Sequence, residues 1–158
     1  WPAAERAGLP IGSLLADGAA LPTIGAIAER HPGLRFTIGH FAAPRPDARA
    51  VDAAAFAQLP ELIALARHPN VAVGASAAPS YSSEDYPFSG IEPYLRRIFD
   101  AFGPRRFFWG SDLTRLHCPY RQCVTHFTET LPWLTSVDKA LVMGQALCDW
   151  LGWKNDSP

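Results

Sequence analysis

The stretch Arg106-Phe107-Phe108-Trp109-Gly110-Ser111-Asp112 constrains the fold more than any other. Phe107 to Gly110 carry no charge and three of the four are aromatic. A short apolar run bounded by Gly103-Pro104 and by polar residues reads as a strand buried on both faces. It leads to Asp112. The carboxyl end of a buried parallel strand is where α/β sheets and barrels place their chemistry. A carboxylate there must be paired, hydrogen-bonded or bound to a cation, because desolvating it unpaired is costly. A plainer role is also open: Asp112 as the N-cap of the next helix.

The rest of the chain repeats the pattern. Residues 9–16 form an apolar run that ends at the turn pair Asp17-Gly18. Pro22 suits the first turn of a helix, with Ile24, Ile27 and Ala28 as its apolar stripe. His31-Pro32-Gly33 stops it, and residues 34–40 give a second strand ending in His40. A loop at 41–47 and an alanine-rich weak helix at 48–58 come before a firmer helix at 61–67. His68-Pro69-Asn70 ends that helix, and the strand at 71–76 ends in Ser76. Residues 77–88, rich in Pro, Ser, Tyr and acidic side chains, form a long loop of the kind that is often functional. Ser89 and Glu92 match a capping box. The helix behind them carries Ile91, Tyr94, Leu95, Ile98, Phe99 and Phe102 on one face. After Asp112 a loop holds Arg115, His117 and Cys118, and Pro119 opens a helix to Thr130. A second capping-box match at Thr135 and Asp138 opens a last helix to Trp150, and residues 153–158 form a frayed tail.

This β-α-β-α-β-α-β-α-α order implies a parallel sheet with right-handed crossovers. The polar residues at the strand ends fall at 40, 76 and 112, an even spacing of 36. Even units without GxGxxG after any strand favour a (β/α)8 TIM barrel over a dinucleotide-binding fold. A barrel takes about 250 residues, and this chain of 158 holds four units. The expected fold is therefore α/β: the C-terminal half of a barrel, as a single partial domain over residues 1–158. Four strands should lie side by side in chain order, with helices on one face and His40, Ser76 and Asp112 at the carboxyl edge. Such a sheet has two bare edges, so homo-oligomer formation is expected.

Composition narrows the partners. With 14 basic and 15 acidic residues the net charge is -1, which gives no footprint for nucleic acid. No run approaches the roughly 20 apolar residues of a membrane span, and no signal peptide opens the sequence. Three cysteines make no disulfide framework, and a cytoplasmic location is expected. The sequence opens at Trp1 rather than Met, which suggests a fragment.

Three motifs carry a resemblance. His31-Pro32-Gly33-Leu34 before a strand ending in His40 resembles the "HPxLxxxxxH" segment of the amidohydrolase-related family, the metal-dependent barrel hydrolases and decarboxylases also called amidohydrolase 2. His68-Pro69-Asn70-Val71 resembles its "HPNV". Phe102-Gly103-Pro104-Arg105-Arg106 with Trp109-Gly110-Ser111-Asp112 resembles its "FGxxRxxxGSD" at the eighth strand.

The resemblance implies strands five to eight of the barrel. It puts His40 at the sixth-strand histidine that reaches the active site, and Asp112 at the aspartate that binds metal or takes a proton from the attacking water. His40 and Asp112 are thus the candidate catalytic residues and metal ligands. The cofactor implied is a divalent metal, zinc first, or none, since some lactonases of the family are thought to use strand-end His, Arg and Asp directly. Imidazole and carboxylate are ordinary zinc ligands, and a nearby carboxylate can serve as base. Arg115 and Ser76 are the candidate substrate-binding residues, although a solvated arginine and a capping serine are equally open. The family's first-strand H-x-H is absent from this chain, and Gly74 stands where relatives often show lysine.

His117, Cys118, Cys123 and His126 make an alternative zinc cluster, but a helix through Cys118 and Cys123 points them about 140° apart. His31 and His68 read as helix-end caps. Two functions follow. One is a hydrolase of a lactone, amide or related carbonyl substrate, or a decarboxylase on the same scaffold, with water activated by Asp112. The other is a non-catalytic half-barrel remnant or interaction module.

Overall fold

The computed structural model describes residues 1–13, 18–43 and 50–153. The end of the first apolar run at 14–16, Asp17, most of the 41–47 loop, the start of the alanine-rich segment and the tail beyond 153 lie outside them.

The described residues form α1 (Pro2–Arg6), β1 (Ile11–Ser13), α2 (Leu21–Arg30), β2 (Phe36–Ile38), α3 (Asp52–Ala55), α4 (Leu59–Ala64), β3 (Val71–Ser76), α5 (Glu92–Phe102), β4 (Phe107–Gly110), α6 (Tyr120–Thr128), α7 (Ser136–Ala140) and α8 (Ala146–Leu151). All four strands are parallel and lie in the order β1-β2-β3-β4. Ile11 pairs with Phe36, Phe36 with Val71, and Val73 with Phe107. The sheet is that of half a (β/α)8 barrel.

Alternation along the strands divides the core. Phe36, Ile38, Val71, Val73, Ala75 and Phe107 point to one face. There they join Leu21, Ile24 and Ile27 of α2, Leu62 of α4, Leu95, Ile98 and Phe99 of α5 and Phe127 of α6 in the main cluster. Ala72 and Phe108 point the other way and form a second cluster with Leu141 and Ala146, flanked by Leu147 and Trp150. The Phe108 and Trp150 ring centroids are 5.8 Å apart. Helices on one face only is therefore corrected: the C-terminal helical segment folds under the sheet and covers part of the second face. Arg35, at the start of β2, donates to the Trp150 and Gly8 carbonyls and anchors it there.

Two local expectations also change. Ser89 and Glu92 make no capping box: a 3-10 turn, Ser89–Ile91, precedes α5, and no side chain caps it. The Glu92 carboxylate instead accepts from Trp133 Nε1 at 3.1 Å. The last helix is not continuous, since a π-helical segment, Leu141–Gln145, separates α7 from α8. The second capping box does form: Thr135 Oγ1 accepts from Asp138 N at 3.2 Å and Asp138 Oδ2 from Thr135 N at 3.0 Å.

The amino edge of the sheet is closed by side-chain hydrogen bonds, most of them buried or half-buried. Asn70 Nδ2 donates to the carbonyls of Ala28, His31 and Leu34 at 3.1, 3.0 and 2.8 Å. Arg106 donates to His68, Val71 and Ala66 carbonyls at 2.9, 3.0 and 3.1 Å. These carbonyls lie where helices end and strands begin; those of His31 and His68 also accept from the Leu34 and Val71 N–H groups at 3.0 and 3.1 Å, and the side-chain donors add to that pairing. His31 Nδ1 donates to Glu5 Oε2 at 2.7 Å, and Glu5 Oε1 accepts from Gly33 N at 2.9 Å. These bonds hold the Glu5 carboxyl below its usual pKa.

Candidate active site at the carboxyl edge

Three strands end in the same way. After β2 the chain enters a tight turn, Gly39–Ala42, with His40 at φ 54°, ψ 34° and Phe41 at φ 57°, ψ 20°. After β3, Ala77 sits at φ 54°, ψ 30°. After β4, Asp112 sits at φ 43°, ψ 57°. Non-glycine residues in left-handed backbone cost on the order of 1–3 kcal/mol each, and such strain gathers at functional sites. None of these turns occurs at the amino ends of the same strands.

The turns bring the predicted residues together. His40 Nε2 lies 3.5 Å from Asp112 Oδ2. Arg115 Nε donates to the same Oδ2 at 3.0 Å. His40 Nδ1 lies 3.3 Å from the Ser76 carbonyl. A carbonyl only accepts, so Nδ1 carries a proton, and Nε2 is the nitrogen that faces Asp112. Ser76 thus enters the cluster through its backbone.

Asp112 begins the 3-10 turn Leu113–Arg115, but its side chain makes no cap bond. Its contact with Thr114 Oγ1 is 3.5 Å, at the limit of hydrogen bonding. The carboxylate is therefore directed at His40 and Arg115 rather than at the helix start. Arg115 is not a freely solvated loop arginine. It is fixed from two sides, by Asp112 and by Ser80 Oγ, which donates to its carbonyl at 2.7 Å.

The donor set can be tested against a metal. A separation of 3.5 Å suits two ligands of one zinc ion, with bonds of about 2.0–2.2 Å at tetrahedral angles. Among the described residues no three His, Cys, Asp or Glu side chains gather to hold an ion. Asp112 Oδ2 is moreover shared with a guanidinium. His40 and Asp112 fit as two ligands of a divalent ion, not as a full set.

Among the described residues the alternative cluster does not gather to hold an ion, and two of its members are buried in the core. His126 is fully buried, and Nδ1 lies 3.1 Å from Thr130 Oγ1, which itself donates to the His126 carbonyl at 2.9 Å. Burial pushes its pKa down to about 4. Cys123 is also fully buried, and burial pushes its thiol up to about 11. Both are core groups in neutral form at physiological pH. The residue that sequence reasoning missed is Ser80, in the 3-10 turn Ala78–Tyr81. The only signal was that it lies in the long loop at 77–88.

Comparison with known proteins bears on the family and the fold. A family model described as Amidohydrolase matches residues 1–155. An L-fucono-1,5-lactonase of Burkholderia ambifaria is 35% identical over 114 residues, which are 72% of this chain and 36% of that protein. A zinc-bound amidohydrolase from Burkholderia multivorans superposes with a TM-score of 0.76 at 21% identity, over 94% of this chain and 54% of that one. The 5-carboxyvanillate decarboxylase of Sphingomonas paucimobilis superposes with a TM-score of 0.60 at 18% identity, over 96% and 51%. The chain thus spans about a third of the lactonase and about half of the barrels it matches. With the family model matched over residues 1–155 and the half-barrel fold in place, the chain belongs to the amidohydrolase family.

Proposed function

We propose that this chain supplies the carboxyl-edge residues of a hydrolase that opens a lactone or a related small carbonyl compound. The observation that carries the proposal is the approach of His40 Nε2 and Arg115 Nε to Asp112 Oδ2, at 3.5 and 3.0 Å, at the ends of β2 and β4. The lactonase relative supports a cyclic ester as substrate. Amide hydrolysis and decarboxylation are the other chemistries of the same scaffold.

In this reading Nε2 and Oδ2, 3.5 Å apart, both accept from the attacking water. A water held there gives its hydrogens to them and turns a lone pair outward. Asp112 takes the proton as that oxygen attacks the carbonyl carbon. The remaining N–H groups of Arg115 are placed to meet the oxyanion that forms. Collapse of the tetrahedral intermediate breaks the ring C–O bond, and Asp112 returns the proton to the leaving oxygen. The product is a hydroxy acid. A divalent ion, if bound, would be held by His40 and Asp112 and would polarise the carbonyl and acidify the water. The substrate is a small molecule. Among the described residues no helix is long and apolar enough to cross a membrane.

The test is turnover of an aldono-1,5-lactone panel by the complete gene product and by its Asp112→Asn variant, with folding checked by circular dichroism. Asn preserves size and removes the base, so kcat should fall about 10²–10⁴-fold. A folded variant within about threefold of wild type would remove Asp112 from the mechanism. A wild type that opens no lactone would remove the substrate class.

A further inference from the structure

We propose that the cavity at the amino edge of the sheet, between the strand starts and α8, binds a phosphate-class dianion: inorganic phosphate or a phosphate monoester.

The cavity has a volume of about 410 Å³, within the roughly 300–1,000 Å³ of small-ligand sites. Arg35, just before β2, and Arg105 and Arg106, just before β4, line one side of it, and Ala146, Asp149 and Trp150 of α8 line the other. Three positive charges thus stand against one negative. The Asp149 carboxylate lies 3.6 Å from Arg105 Nη1, and both side chains are exposed. Among the described residues no ion pair joins Arg35 or Arg106 to an acid.

The partners of these two arginines are all backbone. Arg35 donates to the Trp150 and Gly8 carbonyls, and Arg106 to those of Ala66, His68 and Val71. Carbonyls satisfy N–H groups but supply no countercharge, which a partly desolvated cation needs. Burial lowers the pKa of Arg106, in keeping with a cation drawn from water with no acid beside it. Each guanidinium has five N–H donors, and in both arginines Nε–H has no partner among the described residues.

A dianion balances the two excess charges, and phosphate oxygens match the guanidinium fork. Arg35 already holds the Trp150 carbonyl and Arg105 the Asp149 carboxylate, so a ligand bridging them adds to the anchoring of α8 on the sheet. His40, Asp112 and Arg115 lie at the opposite edge, so this anion is not the substrate of the proposed reaction.

The test is calorimetric titration and thermal melting of the complete gene product with inorganic phosphate and with glycerol 3-phosphate, at ionic strength held constant with sodium chloride. Binding should saturate at one ligand per chain, and Tm should rise with the logarithm of ligand concentration. The tighter of the two ligands identifies the source, free ion or monoester. Arg105→Ala breaks no backbone bond and should weaken binding by about tenfold. Asp149→Asn removes the competing carboxylate and should tighten it by about threefold. Absence of saturable binding, a Tm rise that chloride alone reproduces, or affinity unchanged in both variants overturns the proposal. None of these readouts depends on lactone turnover, so the proposed reaction and this site fail separately.

Discussion

At the amino edge of the sheet Arg106 donates to three backbone carbonyls, those of Ala66, His68 and Val71. At the carboxyl edge Arg115 donates to one carboxylate, and its side chain is about a third exposed. The same contrast separates His68 from His40. His68 is buried, and its Nε2 accepts from Arg67 Nε at 3.1 Å. His40 has one nitrogen on a carbonyl and the other facing Asp112. Motif residues at the amino edge close helix-to-strand junctions, whereas those at the carboxyl edge keep polar atoms directed at one another and at solvent in strained backbone. A family motif therefore mixes two kinds of residue, and the sheet edge tells them apart.

The difference can be attacked at a point that belongs to neither edge. His126 is buried beneath the loop at 77–88, and its ring meets Phe88 at 5.4 Å. An unfolded histidine titrates near 6.5, and in the fold this one is pushed down to about 4. Between those values the unfolded chain binds the extra proton. The stability that neutral His126 confers is complete above pH 6.5 and is lost as pH falls toward 4, in all about 3 kcal/mol. Thermal melts should show this slope in wild type and lose it in His126→Gln. An unchanged slope in the variant would assign the acid loss elsewhere. The comparison also separates acid inactivation through the fold from acid inactivation through the site.

A smaller effect sharpens the amino-edge side. Asn70→Ala strips donors from three carbonyls and should cost about 2 kcal/mol, while kcat per folded molecule stays unchanged. Asn70→Asp should be worse, since a carboxylate would face the same three acceptors. Denaturant melts rank the two variants, and the reverse order would contradict the assigned role of Nδ2.

Much of this division was legible in the sequence. Apolar runs bounded by His-Pro-Gly, His-Pro-Asn and Gly-Pro located the last three strands, and equal unit lengths put 40, 76 and 112 at one edge. What remained hidden depended on distant partners. The capping pattern at Ser89 and Glu92 was locally sound, but Glu92 is captured by Trp133, 41 residues away. Leu141 and Leu147 show the same apolar periodicity whichever face of the sheet their helix covers, so folding beneath β4 left no mark in the pattern. Tyr81 lies in a Ser- and Pro-rich loop, where nothing local announces that a phenol will be fully buried. Arg115 and Asp112 were each singled out, but their pairing was not, because it depends on the 3-10 turn that brings them together.

The central claim is that the two edges have separable functions, and the two arginines test it with a single kind of substitution. Arg106→Ala and Arg115→Ala should be measured side by side in the complete gene product for Tm and for kcat/KM on an aldono-1,5-lactone. Arg106→Ala should lose about 3 kcal/mol of stability and keep kcat/KM per folded molecule. Arg115→Ala should keep its Tm and lose about 100-fold in kcat/KM. If both variants lose stability and turnover in parallel, or if Arg115→Ala loses neither, the division between a structural amino edge and a chemical carboxyl edge is wrong.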